Sequence, residues 1–191
     1  MVDAPMLWKL IMRVAILTAL ATAGFFLWWG MANAADIPKA GQPAPVFSLP
    51  DQTGKSRALT DYAGQWMVLY FYPKDDTPGC TREACNFRDD LHQLEKLGAM
   101  VIGVSVDDTD SHAKFAQKYH LPFPLLADKG GKVADRYGAL TDLGLIKIAK
   151  RYTFLIDPAG RIAKVYLSID TSRHSREIID DLKRLTAENR L

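Results

Sequence analysis

A chain of 191 residues, 48% of them hydrophobic, is long enough to bury one sizeable core and short for two. Its net charge of +2 comes from acidic and basic residues interleaved along the sequence, which argues against the one-sided basic face of a nucleic-acid binder.

The N-terminus reads as an export segment. Met1 to Arg13 carries Lys9 and Arg13 against a single acid, Asp3, and Val14 to Trp29 is uncharged and apolar. Gly30 breaks the run, and Ala32-Asn33-Ala34 offers the small residues that a signal peptidase accepts. The expectation is a signal peptide over 1–34 cleaved after Ala34, with a periplasmic product. The alternative is an uncleaved anchor over 14–32, since a spanning helix needs about 20 apolar residues and the run is near that length. In both cases the following domain lies outside the cytoplasm, and membrane contact comes only through this segment if it is retained.

Residues 35–45, with Pro38, Gly41, Pro43 and Pro45, read as a linker into a domain over 46–191. Val46 to Leu49 and Arg57 to Leu59 flank a turn-rich stretch and predict a β-hairpin. Trp66 to Tyr72 is a continuous apolar run, the pattern of a strand buried on both faces. In Thr81 to Leu97 the residues Ala84, Phe87, Leu91 and Leu94 share one helical face. Met100 to Val106 predicts a second buried strand, Ser111 to His120 a helix, Pro124 to Ala127 a short strand and Lys132 to Tyr137 a short helix. Thr153 to Ile156 and Ile162 to Leu167 form a hairpin around Asp157-Pro158-Ala159-Gly160. A closing helix carries Ile178, Ile179, Leu182 and Leu185. Strand–helix–strand units followed by a hairpin and a helix predict an α/β domain: a central mixed sheet flanked by helices, compatible with a thioredoxin-like fold.

The two cysteines, Cys80 and Cys85, are five residues apart. A structural staple gains more from a long loop than from one this short, so the spacing points to chemistry. Thr77 and Pro78 supply a favoured N-cap and first helical residue. Cys80 then falls in the first turn, where free N–H groups and the helix dipole favour an anion. The thiolate is the reactive form of a cysteine, and this setting favours it. Taken alone, Cys80 would pass for a small buried hydrophobe on the stripe of Ala84, Phe87 and Leu91. The second cysteine, the export signal and the capping pattern favour function. The four histidines are scattered without ligand spacing, so no metal is expected.

The stretch from Phe71 to Asp89 resembles a known family. Pro73-x3-Thr77-x2-Cys80 is similar to the peroxiredoxin active-site pattern, and Lys74-Asp75-x-Thr77-Pro78-Gly79-Cys80-Thr81-x-Glu83-Ala84 resembles its Q-type, or bacterioferritin-comigratory, group. The likeness runs from about Gly41 to the C-terminus and includes Arg151-x-Thr153-Phe154-Leu155-Ile156-Asp157. It implies a thiol peroxidase acting on hydrogen peroxide and organic hydroperoxides, without metal or bound cofactor. By the same resemblance Cys80 is the attacking cysteine and Cys85 the resolving one. Thr77 supplies a hydroxyl to the peroxide and sulfur, Arg151 steadies the thiolate and orients the peroxide, and Pro73 shields the pocket. Because cytoplasmic thioredoxin is out of reach beyond the membrane, an exported thioredoxin-like reductant is expected, and the chain is expected to be a monomer. A solvated helical ion-pair face accounts for Glu83 and Arg88.

The rival enzyme reading is an exported thiol-disulfide oxidoreductase on the same fold. Such proteins carry C-x-x-C, and here Glu83 stands where the second cysteine would be. Geometry adds one further expectation. Residues five apart on an α-helix have Cα atoms roughly 8.7 Å apart, from a rise of about 1.5 Å per residue and a radius of about 2.3 Å. A disulfide rarely spans more than about 7 Å. Joining Cys80 to Cys85 therefore requires the helix to unwind locally.

Overall fold

The computed structural model describes residues 36–188. The expected signal segment lies outside the described residues. The described residues form one compact unit.

Five strands make the central sheet, in the order β5-β4-β3-β8-β9. Strands β3 (Trp66–Phe71), β4 (Ala99–Ser105) and β5 (Leu125–Ala127) run parallel. Strand β8 (Thr153–Ile156) returns antiparallel to β3, and β9 (Ile162–Tyr166) pairs antiparallel with β8. Every residue of β3 is buried. Side chains alternate across a strand, so Trp66, Val68 and Tyr70 enter one core layer while Met67, Leu69 and Phe71 enter the other. This explains why the sequence shows a continuous apolar run rather than alternation.

The first layer is covered by α1 (Pro78–Lys96), α2 (Thr109–Tyr119) and α4 (His174–Glu188), through Ala84, Phe87, Phe115, Ile178 and Leu182 among others. The second is closed by the short α3 (Lys132–Arg136), a 3-10 turn at Leu59–Tyr62, and neighbouring loops. Two hairpins stand outside the main sheet: β1 (Ser48–Pro50) with β2 (Ser56–Ala58), and β6 (Leu140–Asp142) with β7 (Lys147–Ala149). The first is the N-terminal hairpin expected from the sequence, pairing Leu49 with Arg57. The second was not legible there, because it buries little and is held by its own turn.

The topology fixes where chemistry can occur. Tyr70 pairs with Thr153, and the Phe71 N–H donates to the Tyr152 carbonyl at 2.7 Å. The start of β8 therefore lies beside the end of β3, and Arg151 arrives next to the first turn of α1.

Candidate active site

The loop between β3 and α1 is gripped by α2 through two successive carboxylates. Asp75 accepts from the Tyr72 hydroxyl (2.7 Å), the Ser111 hydroxyl (2.7 Å) and His112 Nδ1 (2.8 Å). Burial works against an ionised Asp75, but the hydrogen bond and charge of His112, with the Ser111 and Tyr72 bonds, outweigh it and hold the carboxyl below its ordinary range. Asp76 adopts a left-handed backbone at φ 56, which an aspartate tolerates better than most residues. Its carboxylate accepts from Lys118 Nζ (2.7 Å) and the Tyr119 hydroxyl (2.5 Å). The Asp75 N–H also donates to Asp107 at 2.9 Å. Apart from the Tyr72 bond, these contacts link residues 32 to 43 positions apart, so nothing in the local sequence signals them.

Helix α1 begins as the sequence predicts, with Thr77 at the N-cap and Pro78 in the first turn. The Thr77 side chain makes no cap bond, however; its hydroxyl donates instead to the Lys74 carbonyl at 3.0 Å. Capping is therefore not what Thr77 Oγ1 does. With no side chain capping the helix, the Gly79 and Cys80 amides remain free to meet an anion at this end. Pro73 is half-buried in the loop.

Cys80 is buried at 1% exposure, and Arg151 Nη2 donates to its Sγ at 3.1 Å. Gly79 eases this approach. A Cβ there would lie 3.3 Å from Arg151 Nη2, tighter than an ordinary contact. The side of the site facing the core is aromatic, with the Tyr70 ring centroid 4.9 Å from that of Phe87 and 5.4 Å from that of Tyr72. A guanidinium and a helix N-terminus, both of which attract negative charge, thus converge on the sulfur.

The other arm of Arg151 pairs with Glu83. Glu83 is 1% exposed, not part of a solvated helix face, and the sequence expectation is corrected here. Its spacing carried the signal: it follows Cys80 by three residues and precedes Phe87 by four, on the buried stripe. Burial pushes the Glu83 carboxyl up to about 7, against the pull of Arg151's charge and hydrogen bond. Its second oxygen, Oε1, is buried without a hydrogen-bond partner. Arg88 is half-buried and only partly fits a solvated ion-pair face, since it also reaches the end of α2. It bonds Asp89 at 2.8 Å and the Tyr119 carbonyl at 2.7 Å.

Cys85 lies further along the same uninterrupted helix, half-buried, and both cysteines are free thiols. Behind the arginine, His174 Nε2 and the Thr153 hydroxyl are 2.9 Å apart, tying the start of β8 to α4. Among the described residues no cluster of histidine, cysteine and carboxylate side chains has metal-binding form.

A model of the AhpC/TSA family matches residues 40–165. A Coxiella burnetii protein named as a peroxiredoxin bcp is 45% identical over 148 residues, which cover 75% of this chain and 98% of that one. The chloroplastic peroxiredoxin Q of Populus jackii is 45% identical over 126 residues; it is longer, and the match covers 66% of this chain and 59% of that protein. The crystal structure of peroxidoxin BcpB from Mycobacterium tuberculosis superposes with a TM-score of 0.74 at 36% identity, covering 77% of this chain and 97% of that one. The chain thus belongs to the peroxiredoxin family of thiol peroxidases, in its Q-type or bacterioferritin-comigratory group, with the thioredoxin-like fold of that family.

Proposed function

We propose that the chain reduces hydrogen peroxide and organic hydroperoxides through Cys80, resolves the oxidised sulfur with Cys85, and is returned to the dithiol by an exported thioredoxin-like protein. The observation that carries this reading is the Arg151 guanidinium, 3.1 Å from Cys80 Sγ in the first turn of α1. The Cys80 thiolate attacks the terminal peroxide oxygen, the O–O bond breaks, and the alcohol or water leaves after taking up a proton. Negative charge builds on the leaving oxygen, and donors already fixed there lower the barrier most. Arg151 and the free amides of the first turn are such donors. The Thr77 hydroxyl, its proton engaged by Lys74, accepts from the incoming peroxide, and Pro73 limits water at the site. Cys80 becomes a sulfenic acid. Cys85 attacks that sulfur, water leaves, and the disulfide forms before further oxidation.

Two thiols of the donor then reduce the disulfide by exchange. The donor must be exported, because the same reading has the protein leave the cytoplasm with cleavage between Ala34 and Ala35. N-terminal sequencing of protein purified from cells checks this, and a mature chain starting at Met1 would mean an anchor instead. The working unit is a monomer. Steady-state peroxide consumption with a thioredoxin-like donor tests the activity itself. Consumption of one donor dithiol per peroxide is expected; disulfide exchange without peroxide loss would favour the oxidoreductase reading.

A further inference from the structure

Six large hydrophobic side chains are exposed among the described residues, and four of them crowd onto the β6–β7 hairpin. Leu143, Leu145, Ile146 and Ile148 are 70%, 103%, 57% and 39% exposed. The tip is a built turn. Asp142 Oδ1 accepts from the Gly144 N–H (2.9 Å), and the Leu143 N–H donates to the Ile146 carbonyl (2.9 Å). The base is anchored, with Ala149 buried and Leu140 packed closely over Gly131. The apolar side chains therefore project on a held support, and the core does not account for them.

The charge around the hairpin has one dominant sign. Lys147 Nζ donates to the Gly130 carbonyl (3.3 Å) and Lys150 Nζ to the Gly138 carbonyl (3.2 Å), which sets the hairpin beside the segment 129–138. Lys147 also pairs with Asp142 at 3.2 Å, which leaves Lys129, Lys132, Arg136 and Lys150 in this region against one further exposed acid, Asp135. Strand β7 ends at Ala149, and a bend carries the chain on to Arg151 in the active site. Arg151 follows Ile148 by three positions, a reach of at most about 11 Å of extended chain.

We propose that the β6–β7 hairpin docks the protein on an anionic lipid surface, its apolar tip entering the headgroup–acyl boundary and its lysines meeting the headgroups. Buried apolar area together with cationic attraction is what holds a protein at such an interface. A protein partner would instead be met by a broader apolar patch with a polar rim. Resting on the peroxidase reading, this docking turns the Arg151–Cys80 site toward hydroperoxides of membrane acyl chains.

The test uses the chain from Ala35 onward. It is a compact unit that the Coxiella burnetii protein matches over nearly its whole length, and it lacks the apolar segment Val14–Trp29, which would bind lipid regardless. Co-sedimentation is measured with phosphatidylcholine vesicles, with and without phosphatidylglycerol, for the wild type and a Leu145→Ser, Ile146→Ser double variant. The expected result is binding that needs phosphatidylglycerol, fades at high salt, and drops about ten-fold or more in the variant. Turnover of hydrogen peroxide in solution should be unchanged by the substitutions. Wild-type protein left in the supernatant, or a variant that sediments equally well, overturns the proposal. So does a variant that keeps its vesicle binding but loses turnover with a protein reductant, which would assign the hairpin to protein docking. Failure of the wild type to consume hydrogen peroxide would strike the peroxidase reading alone.

Discussion

Glu83 and Cys80 hold the same arginine from two sides, with one Arg151 nitrogen on the buried carboxylate and another 3.1 Å from the sulfur. A buried ion pair is weak evidence of stabilisation, because desolvation offsets much of its attraction. The pair is better understood as fixing the guanidinium where charge develops. Arg151→Lys keeps the charge but loses the planar fork that serves both partners. The peroxide step should slow about ten-fold or more, approaching the 10²–10³ that loss of a whole oxyanion donor costs. Stopped-flow oxidation of the reduced protein measures it, and rates within a factor of two of wild type would remove Arg151 from this role.

Glu83 also leaves a mark on stability. Its carboxyl is raised to about 7 from an ordinary 4.5, chiefly by burial. Between those values the folded protein keeps a proton that the unfolded chain has released. Its contribution is therefore complete below pH 4.5, declines as pH rises toward 7, and is gone above that. Glu83→Gln removes this titration. Urea unfolding of the reduced proteins at pH 5 and pH 8 should show wild type losing more stability over the interval than the variant. Parallel losses would contradict the raised value.

Much of the fold was written in local sequence. The apolar run of β3, the stripe of α1 and the Pro-Gly turn before β9 each announce themselves through period or turn chemistry, and the structure has them within a residue or two. Cys80 at a helix start was legible for the same reason. Glu83 was misread because a carboxylate on a helix is normally solvated, and its partner lies 68 residues away. The grip of α2 on Asp75 and Asp76 is likewise a matter of tertiary contact. The β6–β7 hairpin escaped because its apolar residues face outward, so no alternation with a core revealed a strand.

Disulfide formation should unwind the start of α1. In the structure both thiols are free on one continuous helix, as the roughly 8.7 Å separation of such Cα positions demands of the reduced form. The unwinding can stay local. Between Pro78 and Cys85 the helix buries only Cys80, Ala84 and the Glu83 carboxylate, whereas Phe87 and Leu94 anchor the remainder at 0% exposure. Amide hydrogen exchange over Thr77 to Arg88 should therefore rise on oxidation while the turns beyond Leu91 stay protected. Equal protection in both states, with the disulfide confirmed by mass, would show the helix need not open.

The proposed division of labour between the two cysteines is the centre of this reading, and one measurement reaches it directly. Reduced wild type, Cys80→Ser and Cys85→Ser are each mixed with one equivalent of hydrogen peroxide, and the products are read by mass after trapping with a sulfenic-acid reagent. Wild type should give a Cys80–Cys85 disulfide, and Cys85→Ser a trapped sulfenic acid on Cys80 after one fast turnover. Cys80→Ser should leave the peroxide unconsumed. A sulfenic acid forming on Cys85 in the Cys80→Ser protein at the wild-type rate, or equal residual turnover in the two variants, would contradict the assignment.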